Sequence, residues 1–200
     1  MGLPHELDEG SAGADLVQRQ GWVVWITGLP GSGKSVIARA LQKMLLERDV
    51  MTQILSSDEL RRYLTPKPTY SQDERDILYG SLAFIASLLA KNGVNVIIDA
   101  TGNLKKYRDD CRAMVDRFAE VYVQCPTEIC VRRERNRVNT IQAPRGIYNR
   151  AMSGKAPTVP GLGSPYEEPV RPEVVVESDK TEPDKCAQAI LNKLKAFLLK

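Results

Sequence analysis

Histidine and cysteine are scarce in this chain, and their scarcity narrows the chemistry open to it. There is 1 histidine, His5, in 200 residues, and the 4 cysteines (Cys111, Cys125, Cys130, Cys186) are scattered. That is too few for a disulfide scaffold, and the Cys125–Cys130 spacing fits no standard zinc knuckle. Buried free thiols in a reducing compartment are expected instead. Aromatic residues make up 6% and the net charge is +3, well short of the composition of a nucleic-acid-binding protein. No uncharged apolar run approaches the roughly 18 residues needed to cross a bilayer. The first 16 residues have neither a basic n-region nor an apolar h-region, so no secretory signal is read there and a cytoplasmic location is expected.

What is present is a globular composition, 42% hydrophobic, at a length typical of one domain. Residues 1–20 are polar and acidic and read as a flexible arm, leaving 21–200 as the folded domain. Residues 22–27 form an apolar run without polar alternation, the pattern of a strand buried on both faces. Residues 33–48 then carry Val36, Ile37, Ala40, Leu41, Met44 and Leu45 at helical spacing. Strand 51–55, helix 73–91 ending at Asn92 and Gly93, strand 94–98, helix 104–118 and strand 119–124 follow. Pro126 sits at the start of another helix, and strand 174–176 and an amphipathic helix over 183–199 complete the chain. Strands alternating with helices predict an α/β fold with an open, mostly parallel sheet of about five strands and helices on both faces. Ligands in such a fold bind beyond the C-terminal ends of the strands. The stretch 140–172, rich in proline and glycine and without apolar periodicity, interrupts the pattern. With the basic residues before it, it predicts a lid over about 132–165.

Residues 28–35 (Gly28, Leu29, Pro30, Gly31, Ser32, Gly33, Lys34, Ser35) match G-x-x-x-x-G-K-[ST] between a predicted strand and a predicted helix. The glycines let the backbone wrap so that successive N–H groups face phosphates at the positive end of a helix. Lys34 then reaches the β/γ oxygens and the Ser35 hydroxyl takes a place on Mg²⁺, the ion expected with ATP. The strand and helix in register make a P-loop NTPase-type fold the expectation.

Beyond strand 51–55, Asp58 and Arg61 are three apart on a predicted helix and share a face. Asp58 can accept an acceptor hydroxyl's proton or order Mg²⁺, or it can simply cap the helix. Asp99 ends strand 94–98, facing the metal's water shell or capping a turn, so the base stays open between the two carboxylates. Residues 132–155 hold 7 basic groups against the single acid Glu134, a solvated face or a set of lid charges. As lid charges, they neutralise the transferring phosphoryl group, and Arg133 is assigned to ATP.

From about Gly21 to its C-terminus the chain resembles the adenylylsulfate (APS) kinases, which transfer the γ-phosphoryl of ATP to the ribose 3′-hydroxyl of adenosine 5′-phosphosulfate. The entry to the P-loop is similar, and Asp58 and Arg61 match the family's D-G-D-x-V-R. Tyr70, Ser71 and Arg75 match F-S-x-x-D-R, with Glu74 in place of aspartate. Arg108 and Arg112 match paired arginines after the third strand, residues 145–148 resemble K-G-L-Y, and 161–167 resemble G-I-D-S-P-Y-E. The resemblance implies that Arg61, Tyr70, Arg75, Arg108, Arg145 and Val159 line the acceptor site. Of these, Val159 stands where the family has a phenylalanine stacked on the base. Other departures are Leu78 for asparagine, Gly80 for arginine, residues 102–104 for S-P-Y, Asp99 for a small apolar residue, and a longer lid after Glu134. The expected partners are ATP and a small anionic acceptor, APS or a relative. No membrane or nucleic acid is expected, and a homodimer is left open. Two alternatives stand beside the APS kinase reading. One is a P-loop kinase of another small anionic, nucleotide or polynucleotide acceptor. The other is a non-catalytic nucleotide-dependent binding module, for which the intact Asp58–Arg61 pair has no use.

Overall fold

A computed structural model describes residues 20–136, 146–152 and 159–199. The N-terminal arm up to residue 19, and with it His5, lies outside these residues, as does Arg145. The chain runs β1 (Val23–Thr27), α1 (Lys34–Leu46), β2 (Thr52–Ser56), α2 (Ser57–Leu64), α3 (Gln72–Lys91), β3 (Asn95–Asp99) and α4 (Lys105–Met114). It continues through β4 (Phe118–Gln124), α5 (Thr127–Arg135), α6 (Ile147–Met152), β5 (Val174–Glu177), α7 (Pro183–Lys193) and α8 (Lys195–Leu198). The five strands form one sheet in the order β2-β3-β1-β4-β5, and every pairing is parallel.

The central strand shows how the two-sided core arises. All five residues of β1 are buried, and successive side chains point to opposite faces. Val24 and Ile26 join the cluster built with Ile37, Leu41 and Leu45 of α1 and Ile190 and Leu191 of α7. Val23 and Trp25 join the other, with Tyr79, Leu82 and Ala86 of α3 and Tyr107 and Cys111 of α4. A run without polar alternation is therefore what a strand between two helical layers requires.

Several boundaries differ from those read in the sequence. The helix expected over 104–118 stops at Met114, because Val115 turns extended and Phe118 already pairs with Val23 at the edge of β1. The helix expected over 183–199 breaks at Leu194 into α7 and α8. β3 lies one residue later than expected, so Asp99 belongs to the strand, in register with Ile26 and Ser56. All four cysteines are free and buried. Among the described residues no helix is long and apolar enough to cross a membrane.

Candidate active site

The loop leaving β1 is shaped by glycines at positions no other residue fits. Gly31 has φ +83°, and a Cβ there would lie 2.5 Å from the Cys130 carbonyl oxygen. Gly33, at φ +98°, is the N-cap of α1 and supplies no side-chain cap. The first N–H groups of α1 are thus presented at the positive end of a 13-residue helix, a cradle suited to phosphate. Lys34 is only 8% exposed, and its Nζ donates to the carbonyls of Gly28 and Leu29 at 2.9 Å each. An ammonium drawn out of water needs acceptors, and the loop's own carbonyls provide them. Ser35 stands exposed in the first turn of α1. Behind the loop, Arg133 of α5 donates through Nη2 to the Ser178 carbonyl (2.7 Å) and through Nη1 to Ser178 Oγ (3.2 Å). Ser178 in turn donates to the Ser32 carbonyl at 2.7 Å. Arg133 therefore lies against the phosphate loop both through Ser178 and directly, its Nη1 donating to the Ser32 carbonyl at 3.5 Å.

At the ends of β2 and β3, the Ser56 side chain caps α2, accepting from Glu59 N at 3.4 Å. Asp58 is consequently not the cap. It stands exposed in the first helical turn, and Arg61 is buried one turn later. Asp99 caps no helix either, since the N-cap of α4 is Leu104. Arg61 forms an ion pair with Glu74 and lies over the Tyr70 ring, 4.8 Å from its centroid. Glu74 also accepts from Thr69 N (2.5 Å), Thr69 Oγ1 (2.8 Å) and Tyr70 N (3.0 Å). Burial raises its pKa, but the hydrogen bonds from Thr69 and Tyr70 and the Arg61 charge outweigh that, holding the carboxyl below the ordinary glutamate range. Tyr70 itself has φ +57°, uncommon for a bulky residue. Arg75, Arg61 and Asp58 all act electrostatically on the buried Tyr79 hydroxyl, whose pKa is raised chiefly by burial. Arg61, in the last turn of α2, and Tyr70 thus meet where α2 leads into α3, with Asp58 in the first turn of α2 and Arg75 in the first turn of α3.

The family model for adenylylsulphate kinase matches residues 20–177. The chain belongs to the adenylylsulfate kinase family. Among curated relatives, the adenylyl-sulfate kinase of Gloeothece citriformis is 33% identical over 178 residues, covering 89% of this chain and 96% of that one. The adenylyl-sulfate kinase of Clostridium acetobutylicum is 34% identical over 181 residues, covering 90% and 86%. Among solved structures, the Mycobacterium tuberculosis APS kinase in complex with AMPPNP and APS aligns with TM-score 0.77 and 31% identity. It covers 88% of this chain and 98% of its own.

Two residues that the resemblance to APS kinases assigned to the acceptor site are engaged by the protein itself. Arg108 is 1% exposed and each of its guanidinium nitrogens has a protein partner. Nε donates to Glu120 at 2.5 Å, Nη1 to the Gly102 carbonyl and Nη2 to the Glu167 carbonyl at 2.6 Å. It ties the loop after β3 to the chain descending from the lid, because a carboxylate buried in β4 demands a counter-charge. Val159 is packed with Cys125, Cys130 and Tyr148 in an apolar cluster beside Leu29. A β-branched aliphatic side chain gains more there than in a polar acceptor cleft. Leu78 is likewise fully buried. The Tyr148 hydroxyl donates to the Pro30 carbonyl at 2.8 Å and the Ile147 N–H donates to Glu134 Oε1 at 3.2 Å. In this APS kinase family member α6 of the predicted lid therefore rests on the phosphate loop.

Proposed function

We propose that this chain transfers the γ-phosphoryl group of ATP to the ribose 3′-hydroxyl of adenosine 5′-phosphosulfate, giving 3′-phosphoadenosine 5′-phosphosulfate and ADP. The observation that carries this is the pairing, at the C-terminal edge of one sheet, of a complete phosphate loop with the Asp58–Arg61–Tyr70–Arg75 group. The relatives named above, one of them a structure in complex with AMPPNP and APS, support APS as the acceptor.

The N–H groups at the start of α1 bind phosphate oxygens, and Lys34 moves its ammonium from loop carbonyls to the β/γ oxygens as charge develops. Arg61 and Arg75 hold the acceptor's anionic end, and Tyr70 offers a face to its base. The 3′-oxygen attacks the γ-phosphorus in line, the bond to the β–γ bridging oxygen breaks, and the hydroxyl proton passes to the Asp58 carboxylate. Asp99, across from Ser56 in the neighbouring strand, is the alternative base. The oxygen donors present fit Mg²⁺, with Ser35 and the Asp58 and Asp99 carboxylates near the strand ends. Among the described residues no cluster of three or more His, Cys, Asp or Glu forms a protein cage. That suits an ion that keeps its waters and leans on substrate phosphates. Ser35 and the two carboxylates would hold the ion, which would supply positive charge against the phosphates.

A second reading, a kinase of another anionic acceptor, is favoured by the burial of aliphatic Leu78 and Val159 at positions where the family pattern has asparagine and phenylalanine. ADP release measured over a panel of phosphorylated acceptors that includes APS separates the two. Turnover with APS well above all others is expected, and turnover confined to another acceptor overturns the APS assignment while leaving the kinase assignment standing.

A further inference from the structure

Three acceptor-side features meet on one carboxylate. Glu74, 8% exposed, is the third residue of α3, and its backbone N–H donates to the Ser71 cap at 3.2 Å. Its Oε1 engages Nη1 of Arg61 on α2, while Oε2 accepts from Thr69 and Tyr70 in the connection between the two helices. The spacing Ser71-x-x-Glu74 is that of a capping box, in which the glutamate reaches back to the N-cap N–H. Here it reaches further, past Ser71 to the two preceding residues. That departure holds the Tyr70 N–H with its backbone in the left-handed region, and so aims the ring at the Arg61 guanidinium.

We propose that Glu74 is a positioning residue for the acceptor: by bridging Arg61 to the Thr69–Tyr70 turn it preorganises the cation and the aromatic face that receive the anionic nucleotide. The proposal rests on the function given above, in which Arg61 and Tyr70 meet the acceptor. A guanidinium with one nitrogen anchored by a carboxylate has its remaining donors pointed in fixed directions, which suits planar recognition of an oxyanion. Without the anchor, Arg61 samples several rotamers and Tyr70 relaxes toward φ < 0, so binding must then supply the ordering that Glu74 supplies now. Glu74 touches neither ATP nor the phosphate loop in this scheme, so its loss acts on one substrate only.

The test is Glu74→Gln in the full chain, with initial rates measured against APS at saturating ATP and against ATP at saturating APS. The expected result is a KM for APS raised about 10- to 100-fold, the scale of a misplaced positioning group, with the KM for ATP little changed. Adding Arg61→Ala to Glu74→Gln is expected to cost far less than Arg61→Ala alone, because both act through one guanidinium. An unchanged KM for APS in the folded variant, equal losses for both substrates, or fully additive effects would each overturn the proposal. If Glu74→Gln does not fold, Thr69→Val removes only the hydroxyl contact to Glu74, and the same one-sided rise in the KM for APS is expected on a smaller scale. No rise there overturns it as well. Should the wild type ignore APS, the functional assignment falls, and a crystal structure of Glu74→Gln then decides the positioning role separately. Displacement of Tyr70 and Arg61 supports it, and both side chains staying in place overturns it.

Discussion

The nucleotide half and the acceptor half of the site are built on different principles. The phosphate loop is one contiguous stretch, residues 28–35, whose working groups are largely backbone N–H donors fixed by glycine conformations and a helix end. The acceptor half draws Asp58 and Arg61 from α2, Tyr70 from a turn, and Glu74 and Arg75 from α3, and it works through side chains held by other side chains. A backbone-built site survives changes in most of its neighbours. A side-chain-built site changes specificity when one support is lost. This chain retains every position of the first motif and departs from the family pattern at several positions around the second.

The largest effect is expected in the nucleotide half. Lys34→Ala removes the one loop side chain that follows the developing charge, and phosphotransfer should fall by on the order of 10³-fold or more. The folded state should persist, as read by an unchanged circular dichroism spectrum. Near-normal turnover at matched ATP and Mg²⁺ would remove the phosphate loop from the mechanism. Asp58→Asn comes next, with kcat reduced about 10²–10⁴-fold and ATP affinity nearly unchanged if Asp58 takes the hydroxyl proton. A variant that keeps kcat but loses ATP binding in the presence of Mg²⁺ would give Asp58 a metal role and make Asp99 the base.

Two further substitutions sharpen the border of the acceptor half by acting on stability. Arg108→Ala leaves the Glu120 carboxylate buried with only the more distant Arg112 nearby, at 3.8 Å, and should cost about 3–5 kcal/mol in chemical denaturation. If instead it left stability intact and weakened the acceptor alone, Arg108 would belong to the site after all. Leu78→Asn places an amide in a fully buried position and should cost about 2–4 kcal/mol, with no tightening of the acceptor. A stable variant that binds APS more tightly would show that position 78 faces the ligand.

The same contrast explains what could be read from the sequence. The strands, the sheet and the phosphate loop were legible because period, burial and glycine placement are local. The end of α4 was not, because the turn at Val115 answers to the pairing of Phe118 with β1, a tertiary demand. The role of Arg108 has a signal in the sequence: Glu120 is the one charged residue of strand β4, and a buried charge requires a partner. Glu74 carried another, the capping-box spacing from Ser71. Val159 carried none, since its proline- and glycine-rich surroundings have no periodicity to show which side chain turns inward. The side of the lid bearing Arg145 lies outside the described residues.

The most direct measurement is product analysis with γ-labelled ATP and APS as the sole acceptor. The account predicts label on the ribose 3′-oxygen of the APS product, formed in equal amount to ADP and absent with Lys34→Ala. ADP formed with its label released as free phosphate, or label found only on a different acceptor offered in parallel, would contradict it.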